Sequence, residues 1–152
     1  MSSDRVRPMA LGLPHRNDEI FVARLYDTDN DERFYRPIGG GIEFGEYSPA
    51  AIVREFDEEL DISVKVGDYL GSIENVFSFA GTAGHEVIFI YEIEPTDDLW
   101  EVTQLEGHDD GDVIFTGEWK SLAEFDHEDD PLYPDGLLRL IREDTKHVVP
   151  RS

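Results

Sequence analysis

The stretch that decides the fold runs from Gly40 to Ile62 and reads GGIEFGEYSPAAIVREFDEELDI. Its glycine-rich start allows the backbone to turn tightly or to approach a ligand closely. Ser48 and Pro49 then supply the side-chain cap and the first-turn proline expected where a helix begins. No further Gly or Pro follows before about Leu60. The stretch therefore predicts a loop followed by a helix.

The predicted helix has two different faces. At about 100° per residue, one arc of the helix is apolar and another is acidic. The apolar arc holds Ile52, Val53, Phe56 and Leu60, and the acidic arc holds Glu55, Glu58 and Glu59. We therefore expect the helix to pack one face against the rest of the molecule and to present a carboxylate cluster on the other.

Carboxylates at positions i, i+3 and i+4 of a helix converge on a volume in which a hard cation can sit. Mg²⁺ prefers oxygen ligands, and waters and substrate phosphates complete its octahedron. The spacing of Glu55, Glu58 and Glu59 therefore predicts a magnesium site, with Mn²⁺ as a substitute. Crowding of like charges raises carboxyl pKa values in the metal-free site, and a divalent ion reverses this effect. The alternative is a solvated, salt-bridged helix face.

The same stretch resembles the Nudix box, Gx5Ex7REUxEExGU, in which U is an apolar residue. The positions that match are Gly40, Glu46, Arg54, Glu55, Phe56, Glu58, Glu59 and Ile62. A match to this many spaced positions is far rarer by chance than a loose glycine motif. Asp61 alone departs from the pattern, because the family has glycine there. We interpret Asp61 as a harmless substitution at the helix end, with a degenerate, inactive box as the alternative.

The resemblance implies a fold and an activity. The fold is α/β, of the α+β kind, with a Nudix-like mixed β-sheet sandwiched between α-helices. The activity is that of a Mg²⁺-dependent pyrophosphohydrolase, which cleaves a pyrophosphate bond in a nucleoside diphosphate linked to another moiety. The substrate stays open between nucleoside triphosphates, including oxidised ones, and nucleotide sugars. The alternatives are a catalytically silent Nudix-fold nucleotide-binding or regulatory domain, and an acidic interaction protein whose helix only imitates the box.

The resemblance also implies roles for individual residues. The metal ligands of the family fall on Gly40, through its carbonyl, and on Glu55, Glu58 and Glu59. Glu55 either binds metal or activates the attacking water. Arg54 holds the catalytic carboxylates in place, and Glu46 supports the loop. Homodimerisation is common in the family, and the sequence leaves it open.

Weaker candidates lie downstream of the box. Many Nudix enzymes place an additional metal ligand or base there, and the acids available are Glu101, Glu106 and Asp109. Glu106 is the weak candidate among them, and solvated loop acids are the alternative. A base-stacking role is the lesser alternative to a core role for Phe77, Phe79, Tyr91 and Trp119. The histidines show no compact metal spacing, so we assign no role to His85, His108 and His127.

Outside the box, short apolar runs between turn residues predict further elements. Strands are expected at Met9–Leu13, Ile20–Leu25, Phe34–Pro37, Ser63–Leu70, Ile73–Phe79, Val87–Ile93 and Glu118–Lys120. The first two strands pair, and Gly81–Gly84 forms a hairpin turn. Glu101–Gly117 is expected to be mostly loop apart from Val113–Phe115, and Asp126–Asp130 an acidic loop. A final helix spans Asp135 to about Lys146.

The whole chain is near the commonest size for one domain, so we expect residues 1–152 to form a single domain. Its 35 acidic and 13 basic residues give a formal charge of −22, which repels nucleic-acid polymers and anionic lipid. A small-molecule nucleotide is the expected partner. The spread of acids is typical of proteins from salt-in halophilic microbes. No signal peptide or membrane span is evident, so the expected location is cytoplasmic.

Overall fold

The computed structural model describes residues 4–28, 31–79, 81–94, 96–126, 130–143 and 147–149. The strands are β1 (Val6–Arg16), β2 (Glu19–Asp27), β3 (Glu32–Arg36), β4 (Ile38–Gly41), β5 (Lys65–Phe79), β6 (Thr82–Glu94), β7 (Gln104–Asp109), β8 (Asp112–Ser121) and β9 (His147–Val148). The helices are α1 (Ser48–Leu60), α2 (Asp97–Trp100) and α3 (Leu137–Glu143), with a 3₁₀ helix at Leu122–Asp126.

Strand β1 is the centre of the sheet. It runs parallel to β6 from Val6 to Pro14 and antiparallel to β4 over Met9–Gly12. The path of hydrogen-bonded neighbours is β7-β8-β2-β1-β6-β5-β9, with β3 beside β2 and β4 beside β1. The β1–β6 and β5–β9 pairs are parallel and the other pairs are antiparallel, so the expected mixed sheet is confirmed.

The two longer helices cover opposite faces of this sheet. Successive side chains of a strand point to opposite faces. Met9 and Leu11 of β1 lie in one buried cluster with residues of α3. Ala10, between them, lies in a second buried cluster with Ile52 and Phe56 of α1. The expected arrangement of a sheet between helices is therefore confirmed. None of the helices in the described part of the chain is long and apolar enough to cross a bilayer.

The predicted pairing of the first two strands is largely wrong. Only His15 and Arg16, at the end of β1, pair with β2. The segment Met9–Gly12 lies between β4 and β6 instead. A strand that is buried on both faces takes partners on both edges, and the short apolar run did not reveal how far β1 continues.

The region after the helix is more continuous than expected. The two predicted strands Ser63–Leu70 and Ile73–Phe79 form one strand, β5, whose pairing with β6 shifts register near Gly71. The hairpin turn is also shorter than Gly81–Gly84, because β6 already begins at Thr82, which pairs with Phe79. Gly71 lies at a β-bulge within one strand and does not separate two strands.

The prediction that Glu101–Gly117 is mostly loop is wrong. The chain there forms the hairpin β7–β8, in which Asp109 pairs with Asp112. Asp110 and Gly111 have φ angles of 50° and 84°, as a type I′ turn requires of its two central residues. The hairpin looked like a loop because the side chains on its outer face are polar. The Asp-Gly dipeptide was the signal that could have revealed it.

Helix α1 begins and ends where the sequence predicts, but two details differ. Tyr47 is the N-cap residue, without a side-chain cap hydrogen bond. The hydroxyl of Ser48, the expected cap, instead lies 2.7 Å from the hydroxyl of Tyr91. Val53 is 39% exposed, whereas Ala51 is fully buried, so the apolar arc is turned toward Ala51. The larger sheet contact lies on that side.

The C-terminal region agrees in part. The final helix spans Leu137–Glu143, so it begins after the expected Asp135. Residues 144–146, predicted as its end, lie outside the described residues, as do residues 127–129 of the expected acidic loop. Asp126, at the start of that loop, is the last residue of the 3₁₀ helix.

Candidate active site

Glu55 and Glu59 form the centre of the acidic cluster on α1. The two carboxyl groups lie close enough for Glu55 to act on Glu59 through both hydrogen bonding and charge. Burial raises the pKa of Glu59 to about 8, and the hydrogen bond and charge of Glu55 add to this effect, while the charge of Arg36 opposes it. The crowding expected of a metal-free site is therefore present at this pair.

Glu58 lies at the rim of the cluster. Its side chain is 57% exposed and contacts Nη1 of Arg54 at 3.4 Å. Among the described residues, no three acidic or histidine side chains converge as a closed metal cage. Mg²⁺ needs no such cage, because it keeps several waters and takes substrate phosphates as ligands.

Gly40 brings the backbone of β4 against Glu55. A Cβ atom at position 40 would lie only 2.7 Å from Oε1 of Glu55, so a larger residue would displace the carboxylate. Pairing with Ala10 of β1 fixes Gly40 in this place. The groups that meet here are carboxylates and a peptide backbone, which are oxygen donors. Such a donor set fits a hard divalent cation.

Arg54 joins the box loop to the helix. Its Nε and Nη2 atoms donate to the two carboxylate oxygens of Glu46 at 2.8 and 3.0 Å. Nη2 also donates to the carbonyl oxygen of Gly41 at 3.0 Å, and Nη1 donates to Oε1 of Glu55 at 3.0 Å. One guanidinium therefore positions the loop and a carboxylate of the central pair together.

Glu46 is the main partner of Arg54. The hydrogen bonds from Arg54 lower the pKa of Glu46 to about 2, and the backbone N–H of Glu43, which donates at 3.1 Å, adds to this effect. The same contacts raise the pKa of Arg54 above its usual range. This bidentate pair is a geometric basis for the supporting role expected of Glu46.

The downstream acids lie on β7, and their positions differ. Glu106 is exposed, and its carboxylate lies 3.8 Å from Nε2 of His108. Asp109, at the end of the strand, adds to the negative charge that raises the pKa of Glu59. The structure therefore places Asp109, rather than Glu106, among the charges that act on the central pair. The role expected of Glu106 stays a prediction.

A cavity of ≈ 580 Å³ opens beside the cluster. Arg36 lines it, and the charge of Arg36 also acts on Glu59 and Glu86. Phe34 and Tyr133 also line the cavity, and their rings pack with centroids 5.5 Å apart. The cavity thus has a cationic side near the cluster and an aromatic wall.

The cavity is lined by six charged residues outside the box, and among them the charges of Arg7 and Arg36 act on Glu86. The signal that could have found them is strand alternation. Arg7 precedes the buried Met9 by two positions, and Glu86 precedes the buried Ile88 by two. Residues two positions apart on a strand point to the same face. A charged residue two positions before a buried apolar one therefore indicates where that face of the strand reaches the edge of the core.

The aromatic and histidine candidates are dispersed. Phe77 lines the cavity, whereas Tyr91 packs on Tyr69 at 5.2 Å and Trp119 on Phe21 at 5.5 Å between ring centroids. The last two thus have packing roles. The side chain of Phe79, and all of His127, lie outside the described residues. Nε2 of His85 lies 4.0 Å from Glu74 at the sheet surface, which gives it no place in the cluster.

Comparison with known proteins decides the family. A model described as the NUDIX domain matches residues 6–141. The chain belongs to the Nudix family. The resemblance of the box is therefore confirmed, and with it the Nudix fold and the enzyme class, a Nudix-type pyrophosphohydrolase. No curated protein matches the sequence.

Solved structures share the Nudix fold at low sequence identity. The MutT protein from Methanosarcina mazei Go1 is 15% identical with a TM-score of 0.65, over 94% of this chain and 96% of that one. The E. coli ORF135 protein is 22% identical with a TM-score of 0.64, over 91% and 90%. A MutT NUDIX hydrolase from Burkholderia pseudomallei is 18% identical with a TM-score of 0.62, over 91% and 98%. These likenesses show the fold alone.

Proposed function

We propose that this Nudix enzyme hydrolyses a pyrophosphate bond in a nucleoside diphosphate linked to another moiety, with Mg²⁺ as cofactor and Mn²⁺ as a substitute. The observation that carries the proposal is the hydrogen-bonded pair of Glu55 and Glu59, held against the backbone of Gly40 beside a cavity that Arg36 lines. Oxygen atoms suited to a cation and a guanidinium suited to phosphate are neighbours there. The substrate is of the nucleoside triphosphate or nucleotide-sugar type.

The proposed metal ligands are the carboxylates of Glu55, Glu58 and Glu59 and the carbonyl oxygen of Gly40. Mg²⁺ supplies the positive charge that neutralises the phosphate oxygens during cleavage. Glu58 is exposed and meets Arg54 only at 3.4 Å, so little holds its side chain in the outward rotamer. It can therefore turn toward Glu59 and complete the set.

The cavity side of the site binds the rest of the substrate. Arg36 lies where a guanidinium can bind phosphate oxygens in a bidentate manner. The nucleoside then extends into the cavity, where Phe34 and Tyr133 offer ring faces for a base.

The proton of the attacking water passes to a carboxylate of the central pair. A bound metal would favour the ionised form of Glu59, and a carboxylate of the pair could then accept the proton. Arg54 holds Oε1 of Glu55 at 3.0 Å, which orients this carboxylate. Asp109, whose charge acts on Glu59, is a further acid that we propose beside Glu106.

Product release from a panel of substrates tests the proposed function. The panel holds nucleoside triphosphates, nucleotide sugars, ADP-ribose and dinucleoside polyphosphates, in high salt with Mg²⁺, Mn²⁺ or EDTA. We expect turnover that requires metal and that collapses in Glu58→Gln and Glu59→Gln. Asp57→Asn is the matched control, because Asp57 is an exposed acid on the same helix.

Two other results would redirect the proposal. If the folded wild type binds a nucleotide but turns over none of the panel, the chain is a silent Nudix-fold binding domain. If Asp57→Asn loses as much activity as the glutamine variants, the loss reflects the charge of the helix rather than a metal site.

A further inference from the structure

The cavity is lined by four acids that the proposed hydrolysis does not use: Asp27, Glu32, Glu86 and Asp135. Glu86 is a half-buried residue of β6 that lines the cavity. Strand pairing places it between Arg7 of β1 and Asn75 of β5, which line the cavity too. Within the described part of the chain, the side chains of Glu86 and Asn75 have no hydrogen-bond partner. Their polar atoms are therefore available to a ligand.

The two neighbouring arginines act on Glu86 by charge but also lie close to other groups. A Cβ atom at Gly41 would lie 2.9 Å from Nη2 of Arg7, so this guanidinium lies against the box loop. Arg36 acts on Glu59 as well as on Glu86. Burial raises the pKa of Glu86, although both arginines lower it. A carboxyl in such a poorly solvated place gains more from a hydrogen-bond donor than one in water does.

The part of a nucleotide that suits Glu86 is its base. Phosphate groups are anionic acceptors, and a carboxylate repels them. Amino groups and ring N–H groups of a base are donors that a carboxylate accepts. Phe34 and Phe77 line the same cavity, and a base lying against a ring presents its edge to the polar side chains of the floor.

We propose that Glu86 is a specificity-determining residue, which accepts hydrogen bonds from the amino group of a nucleobase and makes the enzyme prefer substrates whose base carries one. Guanine and cytosine carry such a group, and hypoxanthine and uracil do not. Asn75, beside it, offers one acceptor and two donors to the same edge. This inference deepens the proposed function and rests on its assignment of the cavity to the nucleoside.

Binding of nucleoside monophosphates tests the inference separately from hydrolysis. GMP and IMP contain no pyrophosphate bond and differ only in the amino group, and CMP and UMP differ in amino against oxo. By calorimetry without metal, we expect the wild type to bind the amino member of at least one pair about 10-fold more tightly. In Glu86→Gln, which lacks one acceptor oxygen, this ratio falls to near unity.

The measured quantity is the ratio of affinities within each nucleotide pair. Loss of the Glu86 charge by itself strengthens binding of every phosphate-bearing ligand alike and so leaves this ratio unchanged. Glu92→Gln is the matched control, since Glu92 lies on the same strand outside the cavity, and we expect it to keep the preference. Equal binding within both pairs, no binding at millimolar concentration, or a preference that survives Glu86→Gln would each overturn the inference.

Two further comparisons distinguish this inference from binding of the ribose and from the proposed hydrolysis. If Glu86→Gln instead abolishes a preference for GMP over dGMP, Glu86 binds a ribose hydroxyl and the base assignment is overturned. Metal-dependent hydrolysis with no base preference would uphold the proposed function and overturn this inference. Selective GMP binding without any turnover would uphold this inference and overturn the proposed hydrolysis.

Discussion

At the scale of single residues, Arg54 has the most demanding position in the site. It donates hydrogen bonds to Glu46, Glu55 and the Gly41 carbonyl from one planar group. An ammonium has no fork and cannot satisfy these acceptors together. We expect Arg54→Lys to lower kcat by about 10- to 100-fold. Steady-state kinetics with a thermal melt will separate this loss from unfolding.

Arg24→Lys is the control for Arg54. Arg24 also forms an ion pair with a glutamate, Glu118, at 3.4 Å, but it belongs to β2 and lies outside the box. Its substitution should leave kcat unchanged. An Arg54→Lys enzyme as active as the wild type would show that the fork geometry has no part in catalysis.

Glu59 makes the stability of the metal-free protein depend on pH. Its pKa is raised from 4.5 to about 8 on folding, so the folded state holds the proton more tightly. The stabilisation from Glu59 is therefore fully present below its unfolded pKa and is lost as the pH rises through its folded pKa. In EDTA, we expect the Tm of the wild type to fall more steeply than that of Glu59→Gln between about pH 5 and about pH 8.

Excess Mg²⁺ provides the control for the pH effect. A bound cation favours the ionised form of Glu59, so it should bring the wild-type slope close to that of Glu59→Gln. Equal slopes of the two proteins in EDTA would mean that Glu59 titrates in the ordinary range.

At the scale of secondary-structure elements, the end of α1 explains how Asp61 replaces the family glycine. Asp61 has φ 55° and ψ 40°, the left-handed conformation that glycine adopts freely. Its N–H donates to the Asp57 carbonyl at 3.0 Å, and the Ile62 N–H to the Phe56 carbonyl at 3.4 Å. The helix end is therefore intact, and Asp61 bears a modest strain in place of glycine.

Asp61→Gly should relieve this strain. We expect it to stabilise the protein by about 0.5–1 kcal/mol, measured by urea unfolding, with kcat unchanged. Asn17→Gly is a matched control, because Asn17 is also left-handed, with φ 49°, in the β1–β2 turn outside the box. A rise in kcat of Asp61→Gly that Asn17→Gly does not show would mean that the natural aspartate restrains the site.

The box was predictable because its information is local. Helical spacing alone brings Glu55 and Glu59 to one face, and Pro49 with the lack of a later Gly or Pro indicated the helix bounds, although Ser48 is not the cap. The cavity was not predictable in this way, because Arg7, Asn75 and Glu86 meet only through strand pairing across most of the chain. The β7–β8 hairpin lay between these cases, since its Asp-Gly turn is local but its polar faces resemble a loop.

At the scale of the whole molecule, the formal charge of −22 makes the fold sensitive to salt. Like charges repel over about 30 Å in 0.01 M salt but over only about 3 Å in 1 M salt. We expect Tm to rise between these two KCl concentrations. A neutral osmolyte at matched osmolality is the control, because it does not screen charge. A Tm that rises when salt is removed would contradict this prediction.

The parallel pairing of β1 with β6 also constrains how the protein is made. Val6 pairs with His85 and Pro14 with Ile93, so β1 leaves the ribosome long before its partner exists. Until then one edge of an apolar strand stays open to the strands of other nascent chains on the same messenger, and such edges nucleate aggregation. The acids spread along the sequence give each growing chain a negative charge. Repulsion between the acidic nascent chains on one polysome thus opposes their aggregation during the slow, long-range pairing of β1 with β6.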